Sequence, residues 1–332
     1  MSTTKPMTPP RTGAPVAPPV GTAMAAQRRG VGDPIFKGLA TAAGIVILVI
    51  LALVATFLII QGAPAVTSPP EKIADPGSSY GEFFSWVAPY AFGTVWAAVL
   101  ALLMAVPVSL GIALFISHYA PRRLAQPLGY VIDLLAAVPS VVFGLWGTST
   151  FATSIRDLYA WLNAHLGWFP LFSGQVSTTG RTILTAGIVL AVMVLPIITS
   201  LCREVFLQTP KLHEEAALAL GATRWEMVKM AVLPFARPGI VAAVMLGLGR
   251  ALGETMAVTM VLSGSANITF QLLTSDNPNT IAATIAQNFP EAFDLKRSQL
   301  IAAGLVLFVI TLAVNMIARW IVARRAAYSG AD

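Results

Sequence analysis

The chain is short of charge, cysteine and histidine. Charged residues make up 11% of its 332 positions, against roughly 25% in an ordinary globular chain. Two soluble domains of that total length are excluded, because too few ionic side chains remain to cover their surfaces. The single cysteine, Cys202, excludes a disulfide scaffold and a cysteine-based metal site. Three separated histidines, His118, His165 and His213, form no cluster with metal-ligand spacing. No Gly-Lys pair occurs, so there is no G-x-x-x-x-G-K-[ST] phosphate loop. Nor is there a Ser–His–Asp grouping or a carboxylate dyad in the apolar segments, which removes a membrane-embedded enzyme. What abounds is apolar side chain: 56% of residues are hydrophobic and the mean hydropathy is +0.75. The fold class is all-α, a polytopic membrane protein.

A helical span needs about 20 apolar residues. Six segments qualify, at about 38–61, 88–117, 128–150, 182–205, 239–263 and 298–320. They form a transmembrane domain over 37–325, with a soluble loop at 207–237. The first 36 residues hold seven prolines and predict a disordered tail. Residues 326–332 form a second tail. Six spans put both termini on one side. If that side is the cytoplasm, 15 of the 21 basic residues are cytoplasmic and five lie outside, leaving Arg250 in the membrane. That asymmetry satisfies the positive-inside rule. The net charge of +6 therefore reports topology, and no nucleic-acid partner is expected. Trp161, Trp168, Phe169, Pro170 and Phe172 suit an outer loop at headgroup level, and Ile281–Phe289 suits a short helix at the outer rim.

The 207–237 loop is the most informative soluble stretch. Thr209-Pro210 starts a helix, with Thr209 as its expected cap, and Gly221 ends it. Thr223 and Glu226 have capping-box spacing for a second helix. Pro234 and Pro238 are expected to separate that helix from the fifth span. Glu214 opens a run, Glu215-Ala216-Ala217, followed after three residues by Gly221 and after nine more by Ala231-Val232-Leu233-Pro234. This resembles the EAA motif of ABC importer permeases, with Ala231 where isoleucine is usual. The resemblance implies a coupling helix that docks on a separate ATP-hydrolysing subunit. ATP and Mg would then be held by that subunit, and no cofactor by this chain.

In the fifth span Arg250 lies twelve residues past Pro238, about 18 Å along a helix. That is near the centre of a hydrocarbon core about 30 Å thick. Glu254 follows at i+4, on the same face if the helix continues. Charges at that depth mark function by default. Gly249 and Gly253 read as a small-residue face for a neighbouring helix. Pro139-Ser140, in the third span, is expected either to break its helix and expose carbonyls to a pathway or simply to kink it.

The segment Leu248-Gly249-Arg250-Ala251-Leu252-Gly253-Glu254-Thr255-Met256-Ala257-Val258 is similar to a signature of the phosphate-specific ABC importer permeases. Ala136–Gly147 and Arg203–Phe206 resemble further segments of that family, in its PstC-type branch. The resemblance implies a type I importer (MetI-like) fold, alternating access, and a role for Arg250 and Glu254 in phosphate transport. It further implies a PstA-like permease partner, a PstB-like ATPase dimer and a PstS-like phosphate-binding protein in a bacterial cytoplasmic membrane. Thr255, Pro139 and Ser140 join Arg250 and Glu254 as pathway residues. A guanidinium suits an oxyanion. A carboxylate beside it favours an anion that still carries a proton, as phosphate does and sulfate does not. Glu254 is thus expected to reject sulfate, or else to latch Arg250. Two alternatives stay open: another oxyanion as cargo (sulfate, molybdate or phosphonate), and a proton-coupled anion transporter.

Overall fold

A computed structural model describes residues 32–68 and 80–326. The chain divides into two compact units, residues 1–54 and 55–332. The first, where described, is the leading part of α1 (Gly32–Thr67). Most of the expected N-terminal tail, and the expected C-terminal tail from residue 327, lie outside the described residues. Residues 32–36 belong to α1, so the helix begins before the 37 expected from composition.

In the second unit α2 (Tyr80–Leu114) ends in a π turn at Phe115–Tyr119, just ahead of Pro121. The short arm α3 (Arg122–Ala136) follows. The segment α4 (Ser140–Trp146) continues through a π turn and α5 (Ala152–Ser154) to the amphipathic α6 (Arg156–Leu166). Next come α7 (Ile183–Leu207), α8 (Lys211–Ala219), α9 (Arg224–Met227), α10 (Leu233–Gly253) and α11 (Met256–Val261). A two-residue parallel ladder pairs Gly264–Ser265 with Asn277–Pro278. The short helix α12 (Ile281–Asn288) and α13 (Asp294–Ala326) complete the described residues. Among the described residues five helices are long and apolar enough to cross a membrane, or six if the bent pair α3 and Ser140–Ser154 is one span.

That pair is bent by 89°, where the sequence suggests one span over 128–150. Pro139 supplies no N–H and pushes Val138 out of the helical region. The N–H groups of Ala137 and Val138 instead close onto Leu134 and Leu135, three residues back. Of the two expectations for Pro139-Ser140, the break is the one observed.

The centre of the unit is α7, buried on most faces and packed between α2 and α10. Small residues set the spacing. Ala97, Ala98, Ala101 and Ala105 on α2 are buried, and a Cβ on Gly187 would sit 3.1 Å from Leu100 Cβ. A Cβ on Gly247 of α10 would sit 2.8 Å from Ile198 Cδ1 on α7. Ser109 Oγ donates to the Leu195 carbonyl across the α2–α7 seam at 3.1 Å.

The segment before α12 is pinned by buried polar side chains. Asn277 accepts from the Ile183 N–H (2.8 Å), one of the free donors at the start of α7, and donates to the Gln271 carbonyl (2.6 Å). Thr94 Oγ1 accepts from the Ile281 N–H (2.9 Å). A hydroxyl cluster of Tyr159, Thr182 and Thr185 ties α6 to α7, and Thr185 Oγ1 also donates to the Gly180 carbonyl at 2.6 Å. Gly180 itself has φ +70, and a Cβ there would run into the Ala152 carbonyl oxygen. Gly180→Ala is therefore expected to cost about 2–5 kcal/mol, from left-handed strain plus overpacking. A lower apparent melting temperature of the detergent-solubilised protein, with reduced membrane abundance, checks this.

Candidate permeation site and coupling face

Two short helices that each follow a break pack against one another. A Cβ on Gly144 of α4 would lie 3.0 Å from Ala257 Cα and 2.9 Å from Met260 Sδ of α11, and one on Gly147 would lie 2.7 Å from Val261. Residue numbers rise together along both partners, so the two helices run parallel and their N-terminal ends share one side. Pro139 and Ser140 stand at the first break, Glu254 and Thr255 at the second. The topology thus brings four of the five expected pathway residues to the same end of one helix pair.

The second break corrects the expected geometry of the charged pair. The helix stops at Gly253, and Glu254 has extended backbone (φ −69, ψ 125). Glu254 does not lie one turn above Arg250 on a continuous helix, and among the described residues the two form no ion pair. Instead Glu254, 8% exposed, accepts the Ala257 N–H at 3.1 Å through Oε1. A carboxylate at the start of α11 satisfies a free donor and favours the helix dipole. Thr255 turns its hydroxyl back onto the Gly253 carbonyl (3.2 Å).

Arg250 occupies the last turn of α10 and lines a cavity of about 500 Å³ between α7, α10 and α13. Its Nε is buried without a hydrogen-bond partner. The other lining residues are Ile197, Ala242, Met245, Leu246, Gly249 and Asn315. Nothing lies within 4 Å of a Cβ built on Gly249 or Gly253. Among the described residues no helix packs against this small-residue face, and Gly249 instead leaves room beside the guanidinium. A cation with free donors in a concavity lined otherwise by apolar residues and one amide, Asn315, can hold an oxyanion.

Sequence patterning did not point to Asn315, because an uncharged amide does not interrupt an apolar run. It also missed His118, whose Nε2 lies 3.3 Å from Glu214 Oε1, while Nδ1 lies 2.7 Å from Ser117 Oγ. Ninety-six residues separate His118 from Glu214. That contact fastens α8 to the end of α2.

The loop itself forms two helices. Pro210 rather than Thr209 takes the cap position of α8, and Thr209 Oγ1 is buried without a partner, which corrects the capping expected of it. Helix α8 ends in a Schellman motif: Ala222 N–H bonds to Ala217 O (3.2 Å) and Gly221 N–H to Leu218 O (3.0 Å), with Gly221 at φ +86. Thr223 and Glu226 form their capping box. Pro234 and Pro238 do not separate α9 from α10, for a single apolar helix runs over Arg224–Gly253. A π turn over Val228–Val232, closed by Leu233 N–H to Val228 O, shifts the ladder just before Pro234. Glu215, Ala216, Gly221 and Pro234 are exposed, while Glu214, Ala217 and Leu233 are partly buried. Leu212 (74% exposed) and Leu220 (90%) stand out from this loop.

Five or six helices able to cross a membrane, with an arginine-lined cavity and two broken helices packed on one another, define a multi-pass membrane protein. A family model described as "Binding-protein-dependent transport system inner membrane component" matches residues 105–327, and the chain belongs to that family. The chain is 46% identical over 306 residues to "Phosphate transport system permease protein PstC 2" of Mycobacterium tuberculosis, covering 87% of this chain and 91% of that one. It is 39% identical over 313 residues to "Phosphate transport system permease protein PstC" of Mesorhizobium japonicum, covering 92% and 94%. Among solved structures it is similar to a bacterial ABC transporter involved in import of the acidic polysaccharide alginate. There the TM-score is 0.51 at 18% identity, covering 87% of this chain and 96% of that one, a likeness of fold alone.

Proposed function

We propose that this chain is the membrane-spanning permease subunit of an ATP-driven importer of inorganic phosphate, forming half of the translocation pathway by alternating access. It is a transporter subunit and not an enzyme. Relatives named as phosphate permeases match nearly its whole length. The observation that carries the reading within the chain is Arg250, whose buried Nε has no partner and whose side chain lines the 500 Å³ cavity. A PstA-like permease would close the other half of the route. A PstB-like ATPase dimer, holding ATP and Mg, would dock on α8 and the Gly221 corner, and a PstS-like protein would deliver phosphate outside. Both termini face the cytoplasm of a bacterial plasma membrane, as the 15-to-5 distribution of basic residues supports.

Uptake of radiolabelled phosphate and sulfate, in cells that depend on this chain, tests the reading. Arg250→Gln at native membrane abundance removes the fixed charge and its paired donors, an effect of about 2–5 kcal/mol on a buried charge pair. Phosphate uptake is expected to fall by about two orders of magnitude. Unchanged phosphate uptake overturns the role of Arg250, and import of sulfate instead of phosphate by the native chain overturns the cargo.

A further inference from the structure

We propose that Asn315 is a substrate-contacting residue that supplies the hydrogen-bond acceptor a protonated oxyanion needs, and so sets preference for phosphate over sulfate. The proposal rests on the reading that phosphate passes Arg250.

Asn315 lies in the apolar run of α13, yet its amide has no hydrogen-bond partner among the described residues. Asn315 is half-buried, and an amide among apolar neighbours is costly unless something pairs with it. It lines the same cavity as Arg250, and every other side chain lining that cavity is apolar or absent. Arginine offers five donors and no acceptor. Near neutral pH phosphate keeps at least one proton, whereas sulfate keeps none. A site of arginine alone would hold the P–O oxygens and leave the P–OH unpaired. The amide completes the set: its carbonyl accepts from P–OH, and its NH₂ donates to another oxygen. Being neutral, it does so without repelling the anion. Sulfate would leave the carbonyl unpaired in an apolar cavity, the situation in which polar sites discriminate most strongly. Glu254 is placed less well for this task, because it is not among the lining residues and its Oε1 already accepts from Ala257.

The test measures phosphate uptake with and without competing sulfate, sulfate uptake, and ATP hydrolysed per phosphate imported, by the complete complex carrying Asn315→Leu, Asn315→Gln, Asn315→Asp or Arg250→Gln. The leucine variant is expected to lose preference for phosphate over sulfate. Asn315→Leu is expected to lower uptake about tenfold and to raise the ATP used per phosphate, since delivery and hydrolysis proceed while passage fails. Asn315→Gln, with the same chemistry, should retain about half of the native rate, and Asn315→Asp should lose nearly all of it by charge repulsion. If the leucine chain does not assemble, Asn315→Ala removes the amide without added bulk and is expected to show the same loss. Should the leucine and aspartate variants import like the native complex while Arg250→Gln does not, Asn315 is a packing residue and this inference falls alone. Native import by Arg250→Gln as well would overturn the proposed route together with it.

Discussion

Phosphate uptake is expected to fall by about tenfold or more in Gly249→Phe, while Gly249→Ala transports normally and is at least as stable as the native chain. Glycine inside a helix costs about 1 kcal/mol relative to alanine, and Gly249 sits within α10. A Cβ there meets nothing within 4 Å, so stability gives no reason for a glycine. The cavity gives one. Gly249 precedes Arg250 and lines the same concavity, so an aromatic ring at this position would fill space beside the guanidinium. Displacing a bound group by about 1 Å can cost about a hundredfold in rate, and tenfold is the expectation here. Uptake assays at equal membrane abundance, paired with melting of the solubilised protein, separate the two effects. Native transport by the phenylalanine variant would take this cavity off the route.

The contrast with Gly247 sharpens the point. Two residues earlier on the same helix, a Cβ would lie 2.8 Å from Ile198 Cδ1, so Gly247 is needed for packing against α7. One glycine serves the seam and its neighbour leaves a space. Spacing in the sequence does not tell them apart, since the Gly249–Gly253 interval is the one that reads as a packing face. Which way α10 is rotated about its axis decides the matter, and that is fixed by the long-range α7 contacts.

The same limit governs the other differences. The apolar runs made the long helices legible, because covering backbone polar groups in hydrocarbon leaves few options. The break at Pro139 was legible as a possibility from the missing N–H. The break at Glu254 was not, since no proline marks it and Gly253-Glu254-Thr255 reads equally well as helix. Its local cause is the bond from Ala257 N–H to Glu254 Oε1, which stabilises a new helix start as readily as an i+4 partner would have extended the old one. The two helix starts in the 207–237 loop differ for a similar reason. Thr223 has Glu226 at N3 to answer it, so the capping box could be read from spacing. Thr209 is followed by a proline that takes the cap position itself. Residues related only by tertiary structure, His118 in contact with Glu214 and Asn315 lining one cavity with Arg250, left no mark in any periodicity.

Substituting Gly221 by valine is expected to lower phosphate uptake about five- to tenfold, with Gly221→Asn close to native. The corner has open space around it, with nothing within 4 Å of a Cβ, so any penalty comes from the backbone. At φ +86 a β-branched residue pays about 1–3 kcal/mol, whereas asparagine visits the left-handed region readily. That energy is comparable to what the Schellman motif and the capping box contribute to holding the corner. A valine would therefore re-aim the chain between α8 and α9 and displace Leu220, which projects there with 90% of its surface exposed. Neither Gly221 nor Leu220 lines the cavity beside Arg250, so the cavity should be unaffected. The defect should then appear as poor coupling, with ATP hydrolysis no longer raised by phosphate delivery. Equal uptake by the valine and asparagine variants would mean that this corner transmits nothing. Equal loss in both would mean that contact with glycine itself, rather than its backbone angle, is what the docking subunit requires.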